Sequence, residues 1–315
     1  MKALQFKDKK VSLNEVSMPD EANGEAIIKV TKAGICNTDI EIVEGYFGFA
    51  GTLGHEFVGV VESTANKEWQ SKRVVADINC ACGACDFCSS KNQHHCPNRT
   101  VLGIVNRDGA FAEYLKVPYK NLVVVPDSLP DNVAVFAEPV AAALEIQEQL
   151  ALDKSETVCV IGDGKLGLLI SLTLDASGYN VHLIGRHPDR IERMAEFKGK
   201  YSLKPDENSY KTVVEATGNP AGFNLALTLT RPRGNLVLKS TYATGFDFNP
   251  AMIVVNELNI IGSRCGPMDK AIALLASGKI DVTKLIDESF PLESGREALE
   301  KARSKGVLKI LIDID

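Results

Sequence analysis

No run of apolar residues in this 315-residue chain approaches the roughly twenty needed to cross a bilayer. The opening stretch MKALQFKDKKVSLNEV alternates apolar with charged side chains. It lacks the uninterrupted apolar core and small-residue cleavage site of a signal peptide, so a soluble, cytoplasmic protein is expected, with no membrane partner. Extended basic runs are missing too. The 35 Lys and Arg residues stand against 41 Asp and Glu, a net charge of −6, which argues against a dedicated nucleic-acid surface and for small-molecule partners. No internal repeat and no low-complexity segment interrupts the chain.

What is present suits a large core. An apolar share of 45% over 315 residues implies about two domains. The eight cysteines are unevenly spread, and CGACDFCSSKNQHHC places four at Cys82, Cys85, Cys88 and Cys96. In a reducing compartment clustered thiols read as a metal site sooner than as disulfides. Two-residue gaps let successive thiolates face one centre and a loop returns the fourth, giving a full tetrahedral sulfur shell that favours zinc over harder cations. A full shell stabilises a loop and leaves no place for substrate. Cys80 falls outside the spacing and reads as a spare thiol. His94 and His95 could ligate, but four sulfurs suffice, so both are expected on a solvated loop face.

A second donor set is dispersed. AGICNTDIEIVEGYFGFAGTLGHEFVGVVE carries Cys36, Asp39, His55 and Glu56, and FAEPVAAALE carries Glu138. Cys36, His55 and Glu138 make a thiolate, imidazole and carboxylate set with its fourth place open, as a catalytic zinc requires. Glu56 is an alternative or transient ligand. Asp39 is placed to accept the other ring proton of His55 and fix the ring.

From Glu156, ETVCVIGDGKLGLLISLTLDASGYNVHLIGR runs an apolar strand into Gly162, Gly164 and Gly167, then an apolar helix and a second strand. Glycines at these positions permit a tight turn, close approach of backbone to a pyrophosphate, and close helix packing, with the helix start at Lys165 and Leu166 facing the phosphates. Where an acid would accept the ribose hydroxyls of NAD, the sequence has Gly185, Arg186 and His187, with Arg190 a turn later. A cation in place of a carboxylate favours the 2′-phosphate of NADP, with NAD the lesser choice. Further strands KTVVEATG, GNLVLKS and LNIIGSR alternate with helical stretches and predict a doubly wound parallel sheet. The nicotinamide is expected near its carboxyl edge, at Thr217, Gly218 and Arg264. The first 125 residues read as short antiparallel strands of a barrel-like domain. The expected division is 1–138 completed by 266–315, and 139–265.

GICNTD, GHEFVGVV, the four-cysteine stretch, EPVAAAL, IGDGKLG, VVEATG and GSRCG follow one another as in the zinc-containing medium-chain dehydrogenase/reductase family, which the chain resembles over nearly its full length. The resemblance implies an α/β chain with a GroES-like β-rich catalytic domain and a Rossmann domain, and reversible oxidation of an alcohol to a carbonyl with NAD(P). It implies two zinc ions per chain: a catalytic one on Cys36, His55 and the residue at the Glu138 position, and a structural one on the four lobe cysteines. It also implies that Thr38 bonds the substrate oxygen and starts proton relay, and that the protein forms homodimers or homotetramers. Glutamate in EPVAAAL resembles the polyol and glucose dehydrogenase branch. The segment from Ser63 to Val74 departs by lacking the usual Gly-Asp before RVV, and the chain is compact. Pocket walls are expected from Tyr46 to Thr52 and around Asn106 and Arg107. The rival readings are a zinc-independent NADPH enone or quinone reductase and a dinucleotide-binding redox or metal sensor without turnover.

Overall fold

A computed structural model describes residues 1–45, 48–90, 92–205, 210–242 and 245–314. Tyr46 and Phe47, part of one expected pocket wall, lie outside the described residues. The chain divides into two units: Met1–Glu138 with Ile286–Asp315, and Pro139–Leu285.

The first unit is built on a seven-stranded sheet. Its path runs Leu122–Val124, Arg73–Ala76, Glu56–Thr64, Glu25–Gly34, Lys309–Asp313 and Ile286–Pro291, with Tyr114–Pro118 also pairing to Glu25–Gly34. All pairings are antiparallel except that of Ile286–Pro291 with Lys309–Asp313. Ala26, Ile28, Val30 and Ala33 supply fully buried side chains to the core from the central strand. Register slips between Ile27 and Ile28 and between Val30 and Lys32 leave Gly34 opposite Glu56. A Cβ at Gly34 would come within 2.4 Å of Glu56 Oε2, so glycine is what lets that carboxylate lie over the sheet. Pairing of Leu311 with Gly34 brings the last strand to the same spot.

The second unit holds six parallel strands. In space they run Lys200–Ser202, Asn180–Ile184, Thr157–Ile161, Tyr210–Glu215, Thr230–Leu238 and Asn259–Gly262. Counted along the chain this is third, second, first, fourth, fifth, sixth, the doubly wound order whose reversal lies between Thr157–Ile161 and Tyr210–Glu215. Val158, Cys159, Val160 and Ile161 are all buried, as a strand covered on both faces demands. The helix Lys165–Ala176 buries Leu168, Leu169, Ile170, Leu172 and Leu174. It sits so close to the turn that a Cβ on Gly167 would be 1.8 Å from the Gly162 carbonyl oxygen.

The segment 266–285 corrects an expectation, because it packs with this second unit and does not complete the first. Its helix Met268–Ala276 has a buried face of Met268, Ala271, Ile272 and Leu275. Gly266 lies against Ala141, where a Cβ would meet the carbonyl oxygen at 2.0 Å, and Lys270 pairs with Glu148 at 2.6 Å. Among the described residues no helix is long and apolar enough to cross a membrane.

Candidate active site

The four lobe cysteines come together as their spacing implies. Sulfur separations are 3.5 Å for Cys85–Cys88, 3.6 Å for Cys85–Cys96, 3.5 Å for Cys82–Cys96 and 3.9 Å for Cys82–Cys88. Such distances are far beyond the roughly 2 Å of a disulfide bond. They match the edges of a tetrahedron with metal–sulfur bonds of about 2.3 Å, whose sulfurs stand about 3.8 Å apart. The Gly83 N–H points to Cys88 Sγ at 3.3 Å. A backbone N–H from Ala84, aided by the Cys96 thiol, draws the Cys82 thiol down to about 6. Cys85 goes the other way: a backbone N–H from Cys88 works to lower it, yet burial and the neighbouring thiols hold it up at about 11. Only a cation lets such a cluster carry several thiolates at once, so the donor set fits zinc. Cys80 is buried, and burial pushes its thiol up to about 11, which suits a spare core thiol. His94 is engaged elsewhere, with Nε2 2.5 Å from Asp77 Oδ2.

Cys36 caps the helix Asn37–Val43 in an extended conformation. Asp39, three residues on, closes the turn: the Cys36 N–H donates to Asp39 Oδ2 at 2.8 Å and the Gly54 N–H to Oδ1 at 3.2 Å. The fully buried Asp39 thereby ties the cysteine to the loop before His55. His55 Nδ1 lies 3.2 Å from Asp39 Oδ1, but off the line a hydrogen bond needs, so it is a buried nitrogen with no aligned partner. Burial works to lower the His55 pKa, and the charges of Asp39 and Cys36 outweigh it, raising the pKa well above the ordinary value. Thr38 Oγ1 is 3.8 Å from Cys36 Sγ.

Ligand atoms of Cys36, His55 and Glu56 all lie within 4.8 Å of one another. His55 and Glu56 are buried and Cys36 is half-buried, so the cluster is reached from the cysteine side. Sulfur, imidazole and carboxylate at these separations fit a tetrahedral zinc with one place over. Glu138, expected as the third ligand, is outside this cluster. Its carboxyl is pushed up to about 7 by burial, against the pull of His55. Lys309 is a residue the sequence reading missed: Nζ is 2.5 Å from Glu56 Oε2, 3.4 Å from the Ile35 carbonyl oxygen and 5.5 Å from the centre of the Phe136 ring. A lone lysine inside the apolar stretch VLKILIDI was the available signal. Arg107, expected near the pocket, is instead held by Glu25 at 2.8 Å and Thr100 at 2.8 Å.

In the second unit, Gly162 has φ +111° and a Cβ there would meet the Ala216 carbonyl oxygen at 2.6 Å. Gly164 differs. A Cβ there would meet nothing within 4 Å, so the open space suits the approach of a ligand to the N–H groups that begin at Lys165 and Leu166. Thr217 donates from its N–H and its hydroxyl to Glu215 Oε1, both at 2.6 Å, and the Gly218 N–H donates to Ser240 Oγ at 2.9 Å. Tyr242 donates to Glu215 Oε2 at 2.7 Å, completing a buried carboxylate that shapes this sheet edge. Arg264 Nη1 is 3.5 Å from Cys265 Sγ, and its carbonyl accepts from Lys239.

The end of the Asn180–Ile184 strand was expected to lack a carboxylate, and the structure supplies one from elsewhere. Asp163, between the first two glycines, reaches across so that the Arg186 and His187 N–H groups both donate to Oδ2 at 2.7 Å. Its Oδ1 is 3.0 Å from His187 Nδ1. Arg190, expected to face a phosphate, is buried and donates to the Asp163 carbonyl oxygen at 2.6 Å.

Comparison with known proteins agrees with this geometry. Residues 22–127 match the alcohol dehydrogenase GroES-like domain. The chain is 29% identical to the D-arabitol-phosphate dehydrogenase of Enterococcus avium, over 95% of this chain and 92% of that one. It is 29% identical to the alcohol dehydrogenase of Thermus sp. ATN1, with a TM-score of 0.91 and full coverage of both. An alcohol dehydrogenase of E. coli CFT073, in complex with NADH, is 28% identical with a TM-score of 0.89 and 99% coverage of both. With the glycine turn, the parallel sheet and the alcohol dehydrogenase GroES-like match over residues 22–127 in one chain, the protein is similar over nearly its whole length to the alcohol and polyol dehydrogenases.

Proposed function

We propose that the protein is a zinc-dependent alcohol dehydrogenase that oxidises a primary or secondary alcohol of a polyhydroxylated small molecule, reversibly, to the carbonyl with NAD(P). The observation that carries this reading is the gathering of Cys36, His55 and Glu56 within 4.8 Å, half-buried on one side, in a chain that also has the glycine-turn fold. The polyol class is supported by the arabitol-phosphate dehydrogenase likeness and by Glu138 in EPVAAAL. When bound, zinc supplies Lewis-acid polarisation of an alcohol oxygen and the nicotinamide accepts the hydride.

The chain's own residues do the rest. Cys36, His55 and one carboxylate, Glu56 or Glu138, would hold the catalytic ion, and Cys82, Cys85, Cys88 and Cys96 the structural one. The Asp39 carboxylate faces the His55 ring at 3.2 Å and favours its positive charge, and Lys309 balances the charge of Glu56. The half-buried Thr38 takes the hydroxyl proton at Oγ1 and passes it towards solvent. The exposed Ile260 of the outermost strand, with Val254 and Val255 of the helix before it, supports self-association along that edge. In the test, purified protein is screened with a panel of polyols, sugars and simple alcohols and either cofactor. Cys36→Ala and His55→Ala should abolish turnover while cofactor binding persists. Retained turnover in either variant, or metal analysis finding one zinc or none per chain, would overturn the reading in favour of a zinc-independent reductase.

A further inference from the structure

The glycine turn carries an acid where its phosphate-facing role asks for none. Asp163 is 5% exposed and buries a carboxylate beside the end of the Asn180–Ile184 strand. Oδ2 accepts the Arg186 N–H and the His187 N–H, each at 2.7 Å, and the Tyr201 hydroxyl at 3.2 Å. Oδ1 has His187 Nδ1 at 3.0 Å and Arg190 Nη1 at 3.7 Å. Two adjacent backbone N–H groups with a guanidinium behind them make a cradle for an anion. Here the cradle is already filled by the chain's own anion.

The neighbouring glycine shows that this arrangement is built. A Cβ on Gly185 would lie 2.3 Å from Asp163 Oδ2 and 2.6 Å from its Cγ. An acid at the strand end and an acid at position 163 therefore exclude each other, and this chain carries the second. Burial works to raise the Asp163 pKa, yet the hydrogen bonds from His187 and Arg186 prevail and hold it below the usual carboxylate range. The group is thus charged at neutral pH.

We infer that Asp163 is the residue that selects the cofactor, accepting the adenosine ribose hydroxyls of NAD(H) from the glycine turn and excluding the 2′-phosphate of NADP(H). The inference deepens the proposed dehydrogenase reading and rests on it. In the family's dinucleotide fold the adenosine ribose lies between this turn and the end of the second strand. Oδ1, with fewer close donors than Oδ2, has capacity left for a hydroxyl. A 2′-phosphate in the same place would set a second anion against a carboxylate that already holds the N–H donors. Of the basic residues that read in the sequence as a phosphate site, His187 and Arg190 turn their side chains to Asp163, and Arg186 gives it the backbone N–H while its side chain is exposed.

The test titrates the purified full-length chain with NADH and with NADPH, following the cofactor's own fluorescence, and competes each with 5′-AMP and adenosine 2′,5′-bisphosphate. Wild type should bind NADH and AMP about ten- to a hundredfold more tightly than their 2′-phosphorylated counterparts, the range expected for like charges near a surface. Asp163→Ala should erase or invert that ratio, and Asp163→Gly with Gly185→Asp, which also removes the Cβ that would lie 2.7 Å from the new side chain, should restore it. Tighter binding of NADPH by wild type, or an unchanged ratio in a folded Asp163→Ala variant, would overturn the inference and leave the dehydrogenase reading standing. Binding of neither nucleotide would overturn both. The wild-type competition decides the matter even where a variant fails to fold.

Discussion

Replacing Lys309 by methionine isolates the counter-charge at the candidate metal centre. Lys309 and Glu56 side chains are 5% and 1% exposed and their charged atoms are 2.5 Å apart, so solvent screens the pair very little. Methionine matches the length of the lysine stem and can pack on Phe136 as Lys309 does. What it cannot do is balance Glu56. Removing one partner of a buried pair costs about 3–5 kcal/mol, because the remaining charge stays desolvated without compensation. At roughly 2–4 °C per kcal/mol for a domain of this size, the melting temperature should fall by about 6 to 20 °C. The double variant Lys309→Met with Glu56→Gln removes both charges and should regain most of that loss, since paired removal of a buried ion pair is close to neutral. Thermal and chemical denaturation of the chelator-treated proteins, in which no ion at Glu56 can stand in for Lys309, read by circular dichroism, measure the melting temperature and the free energy. A single variant within 1 kcal/mol of wild type, or a double variant no better than the single, would refute the assignment of Lys309 as the charge that stabilises Glu56.

Other expectations can be checked alongside. Cys96→Ser, which takes the most buried sulfur from the four-cysteine lobe, should lower zinc content by one ion per chain and make residues 82–96 the first site of proteolytic cleavage; an unchanged zinc count sinks the site. Gly167→Ala forces a methyl group to within 1.8 Å of the Gly162 carbonyl oxygen, and should cost about 1–3 kcal/mol as overpacking and weaken NADH binding at least tenfold, measured by titration. Asp163 has a folded-state pKa below its ordinary value, so its stabilisation is fully present above about pH 4 and is lost as pH falls through the folded-state pKa. The stability gap between wild type and Asp163→Asn should therefore shrink on acidification, and a gap that widens in acid denaturation curves contradicts the sign.

What the sequence revealed and what it hid differ by the range of the interaction. Cys82, Cys85, Cys88 and Cys96 occupy fifteen consecutive residues, so their spacing alone limits where the sulfurs can go, and the strand–glycine turn–helix at 157–176 is just as local. The Lys309–Glu56 pair spans 253 residues and exists because the last strand pairs beside Gly34, a register that no local pattern encodes. The choice between Glu138 and Glu56 is open in the sequence for a similar reason, since the closeness of Glu56 to Cys36 and His55 follows from the register slips of the Glu25–Gly34 strand. Asp163 is the most instructive case, because it was in view. In the sequence Gly185, Arg186 and His187 read as a cation in place of an acid, hence as favouring a 2′-phosphate. A glycine in a sequence marks space without saying who fills it. At Gly164 the absent side chain faces nothing within 4 Å, and the room is for a ligand; at Gly185 it faces Asp163 at 2.3 Å, and the room is already taken by the protein. Parallel pairing of Ile161 with Ile184 is what brings the two positions side by side. An acid between two turn glycines, followed by a strand that ends in glycine, is therefore better read as one carboxylate moved across the sheet than as a carboxylate lost.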